Sequence, residues 1–211
     1  MPSPTPTAAE PGPVVALMYH ALHTGTTPVG QDPHYTLAAD DFDLQMQEIA
    51  ASGGGSSAAA LLRGTSRARI VVTFDDGHVS NHAVALPLLT RHGISADFFI
   101  NPATVGTPGF LDWQQLRDMN DAGMSIQSHG YDHVYLTQLD GQRLRQTLKA
   151  AREEIEQQVG AAVTLLAPPG GRMPRDLLPI AQECGYTHVL SSEPGVLAGG
   201  GGAKRPPPRT G

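Results

Sequence analysis

Short apolar runs alternate with helix-length amphipathic segments along most of this chain, and this alternation constrains the fold more than any other feature. The candidate strands are Val14–Tyr19, Ile70–Phe74, Asp97–Ile100, Ser125–Gln127, Val163–Ala167 and His188–Ser191. The candidate helices are Asp40–Ala51, Asn81–Arg91, Asp112–Ala122, Asp140–Val159 and Pro174–Cys184. Strands separated by helices pair in parallel, because each helix returns the chain to the same end of the sheet. The pattern therefore predicts an α/β layer or barrel.

The 211 residues are enough for one domain with a sizeable core. We predict that this domain spans 14–198. A Pro/Thr-rich leader over 1–13 and a Gly/Pro-rich tail over 199–211 have compositions typical of disorder. Within the domain, 53–60 is a low-complexity run of Gly, Ser and Ala at a point where a strand and helix are expected.

Composition narrows the class of partner. A net charge of −6 argues against nucleic acid or an anionic membrane as the main partner. No apolar run reaches the roughly 18–20 residues of a membrane span, and the N-terminus has neither the basic nor the apolar region of a signal peptide. As written, the sequence predicts a cytoplasmic protein, or an exported one if the gene model has lost a signal peptide. It leaves the oligomeric state open.

Polar residues follow several of the predicted strands directly. They are Asp75 and Asp76, His129 and His133, His20, and Pro168–Gly171. The carboxyl ends of parallel strands meet at one rim of the sheet, where α/β proteins collect their reactive groups. We therefore expect these four segments to form one site.

The residue types in these segments suit a hydrolytic metal site. One carboxylate and two imidazoles four residues apart hold a divalent metal while leaving positions open for water and substrate. Such a metal lowers the pKa of water and polarises a carbonyl, and a second carboxylate can act as general base. Spacing alone leaves alternatives, because His78 and His82 are also four residues apart and Asp-Asp-Gly is a common turn.

Two motifs resemble those of the polysaccharide deacetylases, carbohydrate esterase family 4. Thr73–Gly77 reads Thr-Phe-Asp-Asp-Gly like the family's first motif, and Ser128–His133 carries the two histidines of the second. Ser95–Ile100 resembles the family's Ala-Thr-Phe-Phe strand, and Trp113–Leu116 with Asp121–His129 resembles its approach to the second motif. The resemblance runs from about Val14 to Val196. It implies a distorted (β/α) barrel of about six or seven parallel strands, similar to a TIM barrel.

The resemblance also implies roles for the residues. Asp75 would be the general base, while Asp76, His129 and His133 would be the metal ligands. His78 and His82 would then be non-ligands at the rim. The implied cofactor is a divalent metal, with Zn²⁺ expected and Co²⁺ or Ni²⁺ also suited to this donor set.

The chain departs from the family pattern at two places. Ala167 stands where the third motif has an arginine before Pro-Pro, and Arg172 is the candidate replacement. The resemblance implies that the backbone N–H near Gly170 holds the oxyanion, and we assign Pro169 and Tyr131 to the same substrate region. The C-terminal Leu-x-His motif that supplies the acid in many members does not follow Val189.

Some branches of the family carry the acid on an N-terminal strand ending in Tyr-His. Leu17–His20 resembles that strand, so His20 is the candidate general acid; the alternative is a buried structural histidine. The implied reaction is hydrolysis of N-acetyl groups on amino-sugar polymers or oligosaccharides. Hydrolysis of small or cyclic amides on the same fold is an alternative. So is a degenerate homologue that binds glycan without turnover, which Ala167, the Gly-rich run and the unusual tail suggest.

Overall fold

The computed structural model describes residues 13–25, 32–193 and 209–210, which form one α/β domain. The strands are β1 Val15–Tyr19, β2 Ala21–His23, β3 Thr36–Ala38, β4 Gly55–Ser56, β5 Ile70–Phe74, β6 Asp97–Ile100, β7 Ser125–Ser128, β8 Leu165–Leu166, β9 His188–Val189 and β10 Arg209–Thr210. The α-helices are α1 Ala39–Ala51, α2 Ala58–Leu62, α3 Leu86–Arg91, α4 Trp113–Asp121, α5 Gly141–Val159 and α6 Leu177–Glu183. A π-helical turn over Asn81–Ala85 leads directly into α3.

Six strands, in the order β1-β5-β6-β7-β8-β9, make a curled half-barrel in which neighbouring strands are parallel. β4 pairs with the start of β5, β10 pairs with β1, and β2 and β3 form a separate two-stranded ribbon. The predicted α/β fold and distorted barrel are confirmed. The reason lies in the helical connections, which bring the chain back to the same edge before each new strand.

Two apolar clusters lie on opposite faces of the sheet, as expected from the two-residue period of a strand. On β6, Phe98 belongs to the larger cluster and Phe99 to the smaller one. The larger cluster packs the helices against the sheet and includes Phe42, Phe74, Leu116, Leu148 and Ile155. The smaller cluster contains Ala16, Ala58, Ala59, Val71, Phe99, Leu165, Ala167 and Leu190. Four alanines among its eight residues suit a face with little room.

The Gly/Ser/Ala run over 53–60 has a low-complexity sequence but adopts the strand and helix expected at this point of the chain. It forms β4 and the start of α2, whose first turn is capped by the Ser57 side chain. Gly55 is required by packing, because a Cβ there would lie 2.8 Å from Cγ2 of Ile49. Fully buried Asp97 on β6 accepts hydrogen bonds from the N–H groups of Ala58 and Ala59. A long-range contact thus orders a segment with weak local signals.

Several predicted elements are shorter than expected. The predicted strand Val163–Ala167 contracts to β8 because the Gln127 side chain accepts the N–H groups of Thr164 and Leu165, and Glu156 accepts that of Val163. The last strand stops at Val189, and the last helix begins at Leu177 rather than Pro174. Side chains that accept hydrogen bonds from backbone N–H groups compete with the hydrogen bonds between strands. Sequence patterns do not predict this competition.

The structure describes only a few residues of the predicted leader and tail. The predicted leader lies outside the described residues except for Pro13. Most of the predicted tail does too, but Arg209–Thr210 pairs with Ala16–Leu17 of β1, so the expectation that the whole tail lacks regular structure was wrong at that point. None of the helices in the described residues is long and apolar enough to cross a membrane.

Candidate active site

Asp76, His129 and His133 meet at the carboxyl edge of the sheet. One ligand atom from each lies within 4.8 Å of the other two, and within the described residues this is the only group of three or more such side chains with that geometry. Oδ1 of Asp76 is 3.4 Å from Nε2 of His129 and 3.2 Å from Nε2 of His133. Two imidazole nitrogens and a carboxylate oxygen therefore face one another across a space that a cation can occupy.

The local backbone explains how these three side chains converge. Asp76 follows β5 and has a φ of +71°, and His133 lies in the loop after β7 with a φ of +60°. These are the two non-glycine residues with positive φ in the part of the chain that the structure describes. Gly77 continues the turn at φ +72°, and a Cβ there would lie 2.9 Å from Cδ1 of Ile100. Residues held in this left-handed region mark functional sites in many proteins.

The donor set fits a divalent metal. Within the described residues, Oδ1 of Asp76 is buried without a hydrogen-bond partner, although an imidazole nitrogen of each histidine lies within 3.4 Å of it. Burial opposes ionisation of Asp76, but His129 and His133 hold its pKa well below the usual range. Interaction with Asp76 raises the pKa of His133. A cation between these side chains would satisfy the orphaned oxygen and replace the protons.

The orientation of His129 also suits a metal ligand. Its Nδ1 lies 2.7 Å from the carbonyl oxygen of Ala167. A carbonyl oxygen only accepts, so Nδ1 carries a proton, and Nε2 is left as the nitrogen that would bind a metal. The ring is only 2% exposed, so packing fixes this arrangement.

Asp75 and His20 lie beside the candidate metal centre. Asp75 is 3% exposed, and its Oδ2 lies 4.0 Å from Nε2 of His129. Its backbone N–H donates to the carbonyl of Tyr19, which joins the end of β5 to the end of β1 just before His20. The ring of His20 lies 4.7 Å from that of Tyr35, tilted by 47°, and His20 is close enough for its charge to lower the pKa of Asp76.

These residues line one cleft of about 470 Å³. Its lining includes His20, Asp75, Asp76, His129, His133, His78, Tyr35, Phe110, Tyr135, Gly170, Gly171 and Ser192. The segments after β1, β5, β7, β8 and β9 all contribute, as the parallel topology predicts. A half-open cleft with carboxylates, imidazoles and aromatic walls suits a polar, ring-shaped substrate.

Other predicted site residues lie elsewhere. Tyr131 does not line the cleft, and a hydrogen bond to Glu154 raises the pKa of its hydroxyl. Tyr135, four residues later, lines the cleft instead. Pro169 packs against Gly130. A Cβ added to Gly130 would lie 3.5 Å from Cγ of this proline. The guanidinium of Arg172 stacks 4.3 Å above the Tyr135 ring, so its observed contact is with the cleft wall.

His78 and His82, the alternative ligand pair in the sequence, contact different parts of the protein. His78 lines the cleft, but its Nδ1 is 2.8 Å from Oγ of Ser80, and burial lowers its pKa. His82 lies 3.7 Å from the carboxylate of Asp118 on α4. The two side chains point to different partners and do not form a ligand pair. His78 precedes the π-helical turn over Asn81–Ala85 and His82 lies within it, so the two residues are not on one regular helix.

Sequence reasoning missed three buried polar residues around the site. Asn81 donates to the carbonyl of His20 at 2.7 Å, and Asn101 donates to the carbonyl of His129 at 2.6 Å. Ser80 accepts the N–H of Leu22 at 2.9 Å. The available signal was their position, since Ser80 and Asn81 come shortly after Asp-Asp-Gly and Asn101 comes directly after β6.

Comparison with known proteins identifies the family of the chain. The family model for polysaccharide deacetylases matches residues 63–189. Bacillus subtilis YxkH is 26% identical over 196 residues, which cover 90% of this chain and 68% of YxkH. The peptidoglycan-N-acetylmuramic acid deacetylase PdaA of B. subtilis is 27% identical over 133 residues, 62% of this chain and 49% of PdaA. This chain thus matches about half the length of PdaA.

Among solved structures, the Streptococcus pyogenes deacetylase PplD in complex with acetate is similar over most of its length. The TM-score is 0.84 at 23% identity, with 95% of this chain and 93% of PplD covered. This likeness shows that the two proteins share a fold.

Proposed function

Because the chain belongs to the polysaccharide deacetylase family, we propose that it removes N-acetyl groups from amino-sugar polymers or oligosaccharides with the help of a divalent metal. The observation that carries the proposal is the convergence of Asp76, His129 and His133 beside the buried Asp75 in one cleft. The name of PdaA describes a deacetylase of N-acetylmuramic acid in peptidoglycan, which supports an amino-sugar polymer as the substrate class.

Asp76, His129 and His133 are the proposed metal ligands. Zn²⁺ is the expected ion, and Co²⁺ or Ni²⁺ suits the same donors. A metal held there would supply a Lewis acid that lowers the pKa of water and polarises the acetamide oxygen. The chain's own contribution is to hold the three donors in place, through the left-handed backbone at two of them and the Ala167 carbonyl behind the third.

Asp75 and His20 are the proposed proton carriers. Asp75 accepts a proton from water while the water oxygen attacks the acetamide carbon. His20, which follows β1 and lines the same cleft, donates a proton to the nitrogen as the C–N bond breaks. The products are acetate and the free amine of the sugar. Asp75 then releases its proton to solvent and His20 takes one up, which restores both groups.

The turn after β8 is the proposed oxyanion region. Gly171 and Arg172 donate their N–H groups to the carbonyls of Pro168 and Pro169. The N–H of Gly170, which lines the cleft, is therefore the candidate donor to the developing oxyanion. Ala167, at the third-motif position, has only a methyl side chain and so cannot assist Asp75 as an arginine would; its carbonyl lies 2.7 Å from Nδ1 of His129.

The first experiment is acetate release from N-acetylglucosamine oligomers by purified protein with Zn²⁺ or Co²⁺. We expect Asp75→Asn to lower kcat by about 10²–10⁴-fold while retaining one metal per chain, because it removes the base and leaves the ligands. His129→Ala is the matched variant and should lose metal and activity together.

Three outcomes would redirect the proposal. Stoichiometric metal without acetate release from oligomers, but with hydrolysis of small or cyclic amides, would replace the substrate class. Metal and glycan binding without any turnover would indicate a degenerate binder. A wild-type protein that binds no metal would refute the proposed site.

A further inference from the structure

Asn81 ties the segment after Asp-Asp-Gly to the carbonyl of the proposed general acid. Its side chain is fully buried, and Nδ2 donates to the His20 carbonyl at 2.7 Å. Its Oδ1 is buried and without a hydrogen-bond partner among the described residues. A buried amide oxygen left unpaired destabilises a fold. The hydrogen bond to the His20 carbonyl is therefore the interaction that explains the position of this carboxamide.

Ser80 makes a second connection between the segment after Asp-Asp-Gly and the residues that follow His20. Its Oγ accepts the N–H of Leu22 at 2.9 Å, and its hydroxyl hydrogen is directed to Nδ1 of His78, 2.8 Å away. The backbone N–H of Ser80 also donates to that nitrogen at 3.2 Å. The chain of bonds from His78 through Ser80 to Leu22 makes this attachment rigid.

The peptide groups around His20 are therefore fixed from three directions. Asp75 N–H holds the carbonyl of Tyr19, Asn81 holds that of His20, and Ser80 holds the N–H of Leu22. All three partners come from Asp75–Asn81, the segment that also carries the proposed base and one proposed metal ligand. The π-helical turn begins at Asn81, a feature that recurs at functional sites.

We propose that Asn81, assisted by Ser80, is a positioning residue that holds His20 at the distance from which it protonates the leaving amine. The inference rests on the proposed function. A proton donor must lie within hydrogen-bond reach of the nitrogen, and small displacements of a catalytic group have large effects on rate. By anchoring the acid to the segment that carries the base, Asn81 sets the separation between the two proton carriers.

A second buried asparagine provides an internal comparison. Asn101 donates to the carbonyl of His129 at 2.6 Å, so it holds a proposed metal ligand as Asn81 holds the proposed acid. The two residues are alike in chemistry and burial but act on different histidines. Their variants should therefore fail in different ways.

The test uses two substrates that differ in their need for an acid. An N-acetylglucosamine oligomer must have its amine protonated, whereas the 4-nitrophenolate of 4-nitrophenyl acetate leaves without a proton. We expect Asn81→Ala to lower kcat on the oligomer by about 10–100-fold and to change 4-nitrophenyl acetate hydrolysis by less than about 3-fold, after subtraction of the Asp75→Asn rate. KM for the oligomer and metal content should stay near wild type.

Three controls sharpen the result. His20→Ala should show the same selectivity, and adding Asn81→Ala to it should cause little further loss, because the two residues act as a unit. Asn101→Ala should weaken Zn²⁺ binding and slow both substrates. Ile155→Ala removes a fully buried apolar side chain on α5 outside the cleft lining, so it reports destabilisation alone. If Asn81→Ala does not fold, Ser80→Ala, which keeps Asn81, is the milder probe of the connection between the same two segments.

Equal losses on both substrates, or independent losses in the double variant, would overturn the inference while leaving the proposed function intact. A wild-type protein that releases no acetate from the oligomer would instead refute the proposed function, and this inference with it.

Discussion

At the scale of single residues, Gly170 and Tyr135 show how tightly the cleft wall is built. Gly170 has a φ of +60°, and a Cβ there would lie 2.7 Å from Cε1 of Tyr135. The same ring lies beneath the guanidinium of Arg172. Tyr135 is thus held between a glycine and an arginine, and its position in the cleft depends on both.

We predict that Gly170→Ala lowers kcat/KM on glycan oligomers by about 10-fold or more, because the new Cβ displaces the Tyr135 ring and shifts the proposed oxyanion donor. Gly160→Ala is the matched control. Its φ is +77°, but no atom lies within 4 Å of the added Cβ. It should cost about 1–2 kcal/mol of stability from backbone strain and leave kcat/KM unchanged. Equal kinetic losses in the two variants would mean that the Tyr135 contact is unimportant.

At the scale of elements, Asp97 joins β6 to the start of α2. It is fully buried and accepts the N–H groups of Ala58 and Ala59, so one carboxylate replaces the local signals that the Gly/Ser/Ala run lacks. Burial raises its pKa to about 6, and hydrogen bonds from Ser125 and these backbone groups oppose the shift. The folded protein therefore retains a proton on Asp97 at a pH where the unfolded chain has lost it.

The sign of the pH effect follows. Because the folded-state pKa lies above the unfolded value, the contribution of Asp97 is fully present below about pH 4 and is lost as the pH rises through about 6. We expect the stability of wild type relative to Asp97→Asn to fall by on the order of 2 kcal/mol between pH 4 and pH 7. Urea unfolding of both proteins across this range measures the difference. A constant difference would show that Asp97 does not titrate there.

At the scale of the whole molecule, the proposed ligands come from two separate parts of the sheet. Asp76 follows β5, whereas His129 and His133 follow β7, and β6 lies between these strands. A metal would therefore bridge segments about fifty residues apart in sequence. It would bind the folded arrangement and would have no preformed site in the unfolded chain.

We predict that Zn²⁺ at 1,000 times its Kd stabilises the protein by about 4 kcal/mol, which raises Tm by about 8–16 °C for a chain of this size. EDTA should reverse the shift, and Asp76→Ala should abolish it. His188→Ala, on β9 outside the cleft lining, is the control and should keep the full shift. A shift that survives Asp76→Ala would assign the stabilising metal to another site.

The sequence by itself determined the alternation of strands and helices. It therefore determined which residues lie at the carboxyl edge of the sheet, where the candidate active site forms. Ile70–Phe74 and Asp97–Ile100 are strands as predicted, and the capping box of Asp112 and Gln115 begins α4 where the pattern indicated. These features depend on residue period and on caps within a few positions, which are local and readable. The parallel topology then follows from the helical connections.

Only the tertiary structure decided which side chains enter the cleft. Tyr131 and Tyr135 lie in one loop, and the left-handed turns at Gly130 and His133 place the second in the cleft wall rather than the first. The attachment of Asn81 to His20 joins residues 61 positions apart, and no local pattern encodes it. The physical reason is that backbone periodicity is set by neighbours in sequence, whereas the aim of a loop side chain is set by packing against distant segments.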